Sequence, residues 1–432
     1  MANAIVNILN KLSFRAKTPS NLVPASQYGS FPTNSWFSSF SKSGENVTEK
    51  TAKNLATYYA CGRNMCEDIA KMPFITVKNE ENGNKTRIKT TQAYNLLNVR
   101  PNNYANPFDL IYTIFNEAIY RGNGYWFIIR NGGGIAEEIH YIDSNFVQPQ
   151  FDTETRSMWY LVNYPILNLN RWCSQDEIFH LKGAGNGMIG TSVISYQLET
   201  IGKALAVQAY SNNYFKDGAS MSGLLSFAGV SDEKKLQTYV NMFMSSFQKG
   251  GVGAVPEGVT FQAMNNDPQK SQFVETENQV RGEIARMFRM PLSKLQDLSD
   301  TNNNALEQVN INYVTDCLMP WIRRFEQEAD RKLFAIYERN ELDGMFDTEV
   351  LLRGDSAAME RKVRTLFMAG GATPNEIRKM YGENTIDNDA SNINYVPSNL
   401  MPANTAIEFW QKQSTIISNP STTEPAMGGQ PQ

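Results

Sequence analysis

The residue types that most often do chemistry in proteins are few in this chain and lack the spacing that a reaction needs. It contains two histidines, His140 and His180, each beside apolar residues in a strand-like stretch. A Ser-His-Asp or Cys-His nucleophile would have to use one of them, and neither a G-x-S-x-G elbow nor a cysteine signature accompanies either. We therefore interpret both histidines as structural.

The cysteines and the paired acidic residues do not predict a metal site. The four cysteines are Cys61, Cys66, Cys173 and Cys317. The first two are five residues apart in a helical pattern, so their thiols point away from each other. This usage is typical of reduced thiols in an intracellular compartment. Acidic pairs such as Asp297 with Asp300 have no third ligand nearby, so we expect no metal and no cofactor.

Two glycine-rich stretches are candidates for phosphate binding. "RNGGG" at 130–134 joins two strand patterns and has no lysine-serine ending, which indicates a hairpin turn. "GAGNG" at 183–187 follows a strand pattern and precedes a helix, which is the context of a nucleotide loop. It lacks both G-x-G-x-x-G spacing and a GK[ST] end. A nucleotide-dependent enzyme, with Gly183–Gly187 as its phosphate loop, stays open as the alternative reading.

The length and the charge of the chain limit the class of protein. With 432 residues, two or three domains are expected, and 41% hydrophobic residues suit a folded protein. A net charge of −4 and a pI near 5.5 argue against a surface built to grip phosphates. The N-terminus lacks the pattern of a secretory signal, and no run approaches the ~20 apolar residues of a membrane span. We expect a chain made in the cytosol, without a membrane partner.

The elements that would position these residues begin with a mixed region. Residues 17–47 are rich in Ser, Asn, Pro and aromatic residues without a period, which is typical of an arm or linker, and 1–46 are predicted to form a flexible arm. From Val47 a helical pattern leads to Pro73, a hairpin turn is predicted at Asn82-Gly83, and a helix follows over 107–122. Short strands then alternate with turns to about residue 190. The pattern predicts an α+β domain with a largely antiparallel sheet.

The rest of the chain is predicted to be mostly helical. In order, the pattern gives a helix from near Thr191 to Gly218, a small α/β insertion at 222–272, a helix over about 275–290, a loop, a long helix from 305, and helices beyond Asp355. Thr373 and Pro374, followed by Glu376, mark one of the last helix starts. Residues 419–432 are disordered by composition.

A few residues make finer predictions for these helices. Gly202, Ala204 and Ala206 would let another helix approach the first long helix closely. After the loop, Asn304 is predicted to be the N-cap of the next helix, with a glutamate at N3 completing a capping box. Pro320 lies inside that helix, where its missing N–H and its ring should produce a kink.

Five stretches, in this order, resemble the HK97-type family of tailed-phage portal proteins. They are "TAKNLATYYACGRNMCEDIAKMPF", "YNLLNVRPNNYANPFDLIYTIFNEAIYRGNGYWFIIRNGGG", "DEIFHLKGAGNGMIGTSVIS", "VETENQVRGEIARMFRMPLSKLQD" and "TPNEIRKMYG". The features shared with the family are PNxYxxPF before a helix, a Gly-Asn-aromatic strand entry, and "I-x-H-x-K" followed by "G-x-S" before a long helix. The stretches span roughly residues 47–397.

The resemblance implies a ring, usually of twelve subunits, at one vertex of the phage head, with double-stranded DNA entering and leaving through its channel. It also implies an α+β fold divided into the family's named parts. These parts are a flexible arm (1–46), a wing (47–190 and 305–354), two stem helices (191–221 and 273–290), a small α/β clip (222–272), a tunnel loop (291–304), a helical crown (355–418) and a disordered tail (419–432).

The resemblance also implies which residues face DNA and partners. The tunnel-loop residues expected at the channel are Ser293, Lys294, Gln296, Asp297, Asp300, Asn302, Asn303 and Asn304. The clip residues expected to dock partners are Lys249, Gly250, Gly251 and Glu257. The loop departs from a basic lining because it sets one lysine against two aspartates, so we assign it no specific phosphate grip.

The partners implied are other copies of the chain, double-stranded DNA without sequence specificity, the large terminase subunit, head–tail adaptors, and the major capsid and scaffold proteins. The protein would be assembled in the host cytoplasm, reside at the head–tail junction of the virion, and catalyse no reaction. The acidic composition of the chain agrees with this role. A strongly basic channel would bind DNA tightly, whereas DNA has to slide through a portal. The alternative is the nucleotide-dependent enzyme, acting on phage nucleic acid. A third reading is a different ring-forming connector. The length of the chain and its wing-like first half argue against it.

Overall fold

Helices and short antiparallel strands alternate along the first half of the chain, and helices predominate after residue 190. The computed structural model describes residues 22–25, 39–80, 85–216, 223–227, 234, 236–238, 240–242, 259–263, 267–295, 303–335, 337–352 and 356–395. The chain divides into two compact units, Met1–Leu352 and Arg353–Gln432. Each is described by itself.

The helices of the first unit are numbered in chain order. They are α1 Glu49–Lys53, α2 Ala56–Ala70, α3 Gln92–Asn98, α4 Pro107–Arg121, α5 Val193–Tyr196, α6 Leu198–Lys216, α7 Asp267–Met287, α8 Asn303–Asn312, α9 Met319–Lys332 and α10 Glu349–Leu352. A π-helical segment, Tyr313–Leu318, joins α8 directly to α9. The described residues between 234 and 242 are helical as well.

The strands are short, and each ladder between them is antiparallel. They are β1 Leu22–Pro24, β2 Ser39–Phe40, β3 Asn46–Val47, β4 Phe74–Asn79, β5 Lys85–Ile88, β6 Asn123–Arg130, β7 Ala136–Ile142, β8 Val147–Asp152, β9 Ser157–Tyr164, β10 Leu169–Ser174, β11 Ile178–Lys182, β12 Gly223–Phe227, β13 Val259–Ala263 and β14 Leu342–Phe346. The larger sheets have the orders β1-β8-β9-β10, β11-β6-β7 and β14-β4-β5, and two-stranded pairs join β2 to β3 and β12 to β13.

The PNxYxxPF stretch closes a sheet edge and then starts a helix. The N–H of Ile139, on edge strand β7, donates to the carbonyl of Pro101 at 2.9 Å, and the side-chain amide of Asn102 donates to the Ile139 carbonyl at 2.7 Å. Four residues later, Asn106 accepts from the Asp109 N–H at 2.7 Å as the N-cap of α4, with Pro107 at its first position. The motif therefore fixes where α4 lies against the β11-β6-β7 sheet.

Aromatic rings form the centre of the first unit. Phe325 of α9 is fully buried, and its ring lies 5.1 to 6.2 Å from five other rings, centroid to centroid. These rings belong to Phe74, Phe115, Trp126, Phe179 and Phe346. We call these six residues the aromatic core. Because they come from β4, α4, β6, β11, α9 and β14, two of the larger sheets and two helices share one core.

A charged network fixes the C-terminal end of α4. The Arg121 guanidinium donates to Glu49 at 2.6 Å, to Glu117 at 3.0 Å and to Asp143 at 2.8 Å. These contacts connect α1, α4 and the turn after β7 through one side chain. Because Arg121 and its three carboxylate partners are largely withdrawn from water, their charges are balanced mainly by these ion pairs.

The predicted helices differ from the observed ones at several ends. The pattern from Val47 gives two helices rather than one, with a break at Asn54, and α3 was not predicted although Thr91 caps it. The helix expected from near Thr191 is divided at Gln197, whose ψ of 30° is not helical. The expected start of the next helix at 273–275 is also wrong. That helix, α7, begins at Asp267, where an Asp-Pro pair gave an unused start signal.

Two further expectations change with long-range contacts. The arm over 1–46 was expected to lack regular structure, yet β1 pairs with β8, and β2 pairs with β3. Gly202 was expected to admit another helix, but a Cβ at that position would overlap Ser41 and approach Ser43, which belong to the turn between β2 and β3. Ala204 is buried in the core of the subunit. These small residues of α6 serve packing within the chain.

The second unit is described from its helices α11, Ser356–Met368, and α12, Pro374–Met380. The expected start of α12 is confirmed, because Thr373 and Glu376 form a capping box. The buried Asn375 side chain then donates to the Ile386 carbonyl at 2.9 Å and accepts from its N–H at 2.8 Å. This amide ties the chain after α12 back onto the helix. Across both units, no described helix is long and apolar enough to cross a bilayer.

Candidate functional site

The loop after α7 begins at an unusual helix end. Arg289 has φ +54°, in the left-handed region, and its N–H donates to the Arg286 carbonyl at 3.1 Å. The next N–H, that of Met290, donates back to Ala285 at 2.9 Å. This is a Schellman motif, whose left-handed position is usually occupied by glycine. The helix thus ends at Met287, four residues before Pro291, with an arginine at a position that favours a residue without a Cβ.

The first residues of the loop are fastened to α2 and to the π-helical segment. Leu292–Leu295 form a 3₁₀ turn, and the Asn64 side chain donates to the Lys294 carbonyl at 3.2 Å. The Lys294 ammonium lies 5.0 Å from the centre of the Tyr313 ring, and the Tyr313 hydroxyl donates to Asp68 at 2.9 Å. The loop therefore leaves the body of the subunit from a fixed point.

The far end of the loop differs from the sequence prediction. Helix α8 begins at Asn303, so Asn304 is helical rather than the N-cap, and the predicted capping box is wrong. Displacements of one or two residues are common at helix ends, and several neighbouring asparagines here are able to cap. The helix also does not continue regularly to Pro320, because the π-helical segment precedes α9 and places the proline in the first turn of α9.

The predicted loop and clip residues are only partly within the described structure. Ser293 and Lys294 lie in the 3₁₀ turn, and Asn303 and Asn304 lie in the backbone of α8. Gln296, Asp297, Asp300 and Asn302 lie outside the described residues, as do Lys249, Gly250, Gly251 and Glu257. The strands that flank the expected clip helix are described, and β12 pairs with β13 from Gly223↔Ala263 to Phe227↔Val259.

Two arginines beside the loop were missed by the sequence reasoning. Arg289 donates from Nη1 to the Asp316 carbonyl at 3.4 Å. Arg324, on α9, lies with its guanidinium carbon 5.1 Å from the centre of the Trp321 ring. Burial, together with the nearby positive charge of Arg289, lowers the pKa of Arg324. An arginine just before a loop that opens with proline was a usable signal, since helix ends there favour glycine.

The glycine stretch at 183–187 is a packing element. The N–H of Gly183 donates to the Gly122 carbonyl at 2.7 Å, and a Cβ on Gly190 would overlap that same oxygen. The Asn123 side chain accepts from the Gly190 N–H at 2.7 Å and donates to the Gly190 carbonyl at 2.8 Å. Asn186 accepts from the two amides that follow Gly187. Two amides of the stretch, those of Gly183 and Asn186, thus donate inside the protein, and α5 behind the stretch has only four residues.

The histidines and cysteines occupy structural positions. His180 hydrogen-bonds to Tyr160 at 3.1 Å and to Asn123 at 3.0 Å, and burial lowers its pKa well below the usual value. His140 lies between Tyr104 at 3.3 Å and Glu138 at 2.9 Å. All four cysteines are buried, and burial raises the pKa of each thiol, as in Cys61, where it reaches about 12. Within the described ranges, no group of His, Cys, Asp and Glu could hold a metal ion.

The chain belongs to the phage portal protein family, because the model of that family matches residues 56–382. The chain is 23% identical over 341 residues to the portal protein of Enterobacteria phage HK97, covering 77% of this chain and 80% of that one. It is 25% identical over 309 residues to the probable portal protein of Streptomyces phage phiC31, covering 68% and 66%.

Solved structures show the same fold. An HK97-family phage portal protein from Corynebacterium diphtheriae matches with a TM-score of 0.51 at 15% identity, over 70% of this chain and 95% of that chain. A chain in the virion of a native gene transfer agent particle matches with a TM-score of 0.54 at 16% identity, over 78% and 92%. A chain in the neck of that type of particle, computed with C12 symmetry, matches with a TM-score of 0.51 at 17% identity, over 78% and 92%.

These matches confirm the HK97-type assignment and the expected α+β fold. They confirm the role that the resemblance implied, a portal subunit at the vertex channel of a virion. The family is structural rather than enzymatic, and the nucleotide-dependent alternative finds no support.

Proposed function

We propose that twelve copies of this chain close into a ring at one capsid vertex, and that double-stranded DNA enters and leaves the head through the central channel. The observation that carries the proposal is the family match over 56–382, which runs without interruption from α2 through both long helices and the loop to α12. The C12 symmetry of one structural neighbour supports the number of copies. A heterologous interface that closes by rotation gives such a ring.

The parts of the subunit are assigned by the order of its elements. In this proposal α6 and α7 are the stem, β12 and β13 with the residues between them are the clip, and the residues between the 3₁₀ turn and α8 are the tunnel loop. The aromatic core and its sheets are the wing. The second unit is the crown. Inside the stem, Lys203 of α6 lies 3.8 Å from Glu283 of α7, which supports the pairing of the two helices.

Exposed apolar side chains on the stem support contact with neighbouring subunits. Tyr210 on α6 is 58% exposed, and Val274 on α7 is 54% exposed. A lone helix pair gains little by showing such side chains to water, whereas a ring would bury them against the next copy. We assign them to the interface between subunits.

The tunnel loop is proposed to touch DNA without holding it. Its candidate contacts are Ser293, Lys294, Gln296, Asp297, Asp300, Asn302, Asn303 and Asn304. Neutral amides and mixed charges release few counterions, so their contact with a moving duplex stays weak. The fixed exit of the loop at Lys294 supports this role, because it sets the direction in which the loop leaves the subunit.

The clip is proposed to dock the large terminase subunit during packaging and the head–tail adaptor afterwards. The candidate docking residues are Lys249, Gly250, Gly251 and Glu257. The major capsid and scaffold proteins would contact the ring while the head assembles in the host cytoplasm. The chain would catalyse no reaction in any of these steps.

The assembly claim is tested by negative-stain microscopy of the purified protein, combined with a nucleotide-turnover assay. We expect rings with a central hole and no turnover of ATP. Persistent monomers that hydrolyse nucleotide would overturn the portal proposal and restore the enzyme alternative.

The loop assignment is tested by replacing residues 296–302 with a short Gly-Ser linker that keeps Leu295 and Asn303. We expect normal rings, but poor packaging or retention of DNA. The matched control replaces Gly132 and Gly133, in the turn between β6 and β7, with the same linker residues. Loss of rings in the loop variant would show that the loop is structural, and unchanged packaging would remove it from the channel.

A further inference from the structure

Arg289 occupies a backbone position that arginine does not favour. A residue with a Cβ in the left-handed region costs about 1 kcal/mol relative to glycine. Such outliers persist where the side chain is needed for something other than local stability. The position is the last turn before the loop proposed to meet DNA.

The Arg289 side chain has one weak contact and spare donors. It donates from Nη1 to the Asp316 carbonyl at 3.4 Å, its only hydrogen bond to the described residues. That carbonyl is four residues before Pro320, so it is the one that the missing proline N–H leaves without its usual helical partner. A guanidinium has five donors, so most donors of Arg289 make no hydrogen bond to the part of the chain that the structure describes.

Arg324 brings a second positive charge to the helix that continues from the segment Arg289 contacts. Its guanidinium is held against the face of Trp321, which fixes its plane. In the part of the chain that the structure describes, neither Arg289 nor Arg324 forms an ion pair, whereas the adjacent Arg323 pairs with Glu326 at 3.4 Å. Both guanidiniums are exposed, and the charge of Arg289 contributes to lowering the pKa of Arg324, so an anion bound near both would relieve their repulsion.

We propose that Arg289 and Arg324 form a contact site for the phosphate backbone of double-stranded DNA at the edge of the tunnel loop. This inference rests on the proposed channel function and adds to it the phosphate contact that the loop itself lacks. Guanidinium groups match phosphate oxygens in pairs of parallel hydrogen bonds. Two such groups per subunit give a contact that is made and broken easily, which is compatible with a duplex that slides.

The test compares two double variants with the same loss of charge. The site variant is Arg289→Gln with Arg324→Gln. The control is Arg281→Gln with Arg323→Gln, on α7 and α9, which removes arginines paired with Glu277 at 2.7 Å and with Glu326. Assembled rings are titrated with a short duplex at several salt concentrations, and DNA retained in filled heads is measured in parallel.

We expect the site variant to bind the duplex at least about threefold more weakly at low salt, with a shallower salt dependence, while the control stays within about twofold of the parent chain. Equal affinities for the two double variants would overturn the inference. If the parent rings neither bind duplex nor retain DNA, the proposed channel function fails, which is a different result.

Two further variants separate binding from structure. Arg289→Gly should raise thermal stability, because it removes the left-handed strain, and should still weaken duplex binding. If it leaves duplex binding unchanged, Arg289 only ends the helix. Asp297→Asn with Asp300→Asn tests whether the arginines pair with the loop. If this aspartate variant loses stability only when Arg289 is present, the arginines pair with those carboxylates and not with DNA.

Discussion

Around Phe325 the subunit buries rings against rings, whereas along α7 most described side chains from Val274 onward reach solvent or are only partly covered. The aromatic core joins elements that are up to 272 residues apart, from Phe74 to Phe346. The helix before the loop instead relies on a narrow apolar stripe and a few surface ion pairs. The difference is the one expected if the region proposed as the wing completes its core within one chain, while the proposed stem leaves surface for other copies to cover.

The largest effect is expected from Phe325→Ala, which empties the centre of the aromatic core. Replacing a buried Phe by Ala typically costs about 3–5 kcal/mol of unfolding free energy. Urea denaturation should show this loss, with Phe325→Leu giving a smaller one. The contrasting change, Val274→Ala on α7, should leave the stability of the isolated chain nearly unchanged and weaken ring formation. Equal losses for both would contradict the contrast between the regions.

Arg121→Met should rank next. It leaves Glu49, Glu117 and Asp143 without their shared cation, and removal of one partner from such a network costs about 3 kcal/mol. The matched control is Arg281→Met, whose single ion pair on α7 is exposed and should be worth less than about 1 kcal/mol. Thermal melts of both variants measure the difference. A control as damaging as Arg121→Met would mean that the stem helix depends on its surface charges.

Gly190→Ala tests the tight contact between the glycine stretch and the end of α4. Its Cβ would overlap the Gly122 carbonyl, so we expect a loss of about 1–3 kcal/mol, within the range for overpacking. Gly132→Ala, in the turn after β6, adds a Cβ in open space and should have almost no effect. Chemical denaturation of the two variants measures their free energies of unfolding. A harmless Gly190→Ala would mean that the segment has room to move.

The smallest effect is expected from Asp330→Asn, on α9, whose carboxylate accepts a hydrogen bond from the edge strand β14. Burial raises the pKa of Asp330 to about 6 although the Gly344 N–H, which donates to it at 2.8 Å, favours the charged form. A carboxyl whose pKa is raised in the folded state contributes stability below its unfolded pKa of 3.8, and this is lost as pH rises through about 6. The amide should therefore add about 1 kcal/mol at pH 7, allowing for partial solvent screening, and flatten the pH dependence between those two pKa values. Denaturation as a function of pH measures the gain at pH 7 and the pH dependence of stability. If the pH dependence is the same in the variant, another group is titrating.

The sequence predicted local structure best where a few adjacent residues decide it. The helix start at Thr373 and the hairpin of β6 and β7 are of this kind, and both are confirmed. The break at Gln197 and the strand β1 were not predicted, because short segments are decided by what packs on them rather than by their own pattern.

The candidate site divides in the same way. Pro291 and the three asparagines marked the loop, since proline and polar residues interrupt a helical pattern. Arg289 and Arg324 could not be paired from sequence, because they are 35 positions apart and Arg289 reaches the helical segment before α9 only through the Asp316 carbonyl. Gly202 shows the same limit, as its neighbour Ser41 lies 161 positions earlier.

The contact of Pro101 and Asn102 with Ile139 has a consequence for the life of the chain before assembly. An open strand edge recruits other strands, and subunits that wait for partners at high concentration are exposed to aggregation. Because Asn102 and Pro101 occupy the backbone groups of Ile139 on edge strand β7, this position cannot template a stray strand. The stretch that most clearly marks the family thus also guards the unassembled subunit against the wrong kind of association.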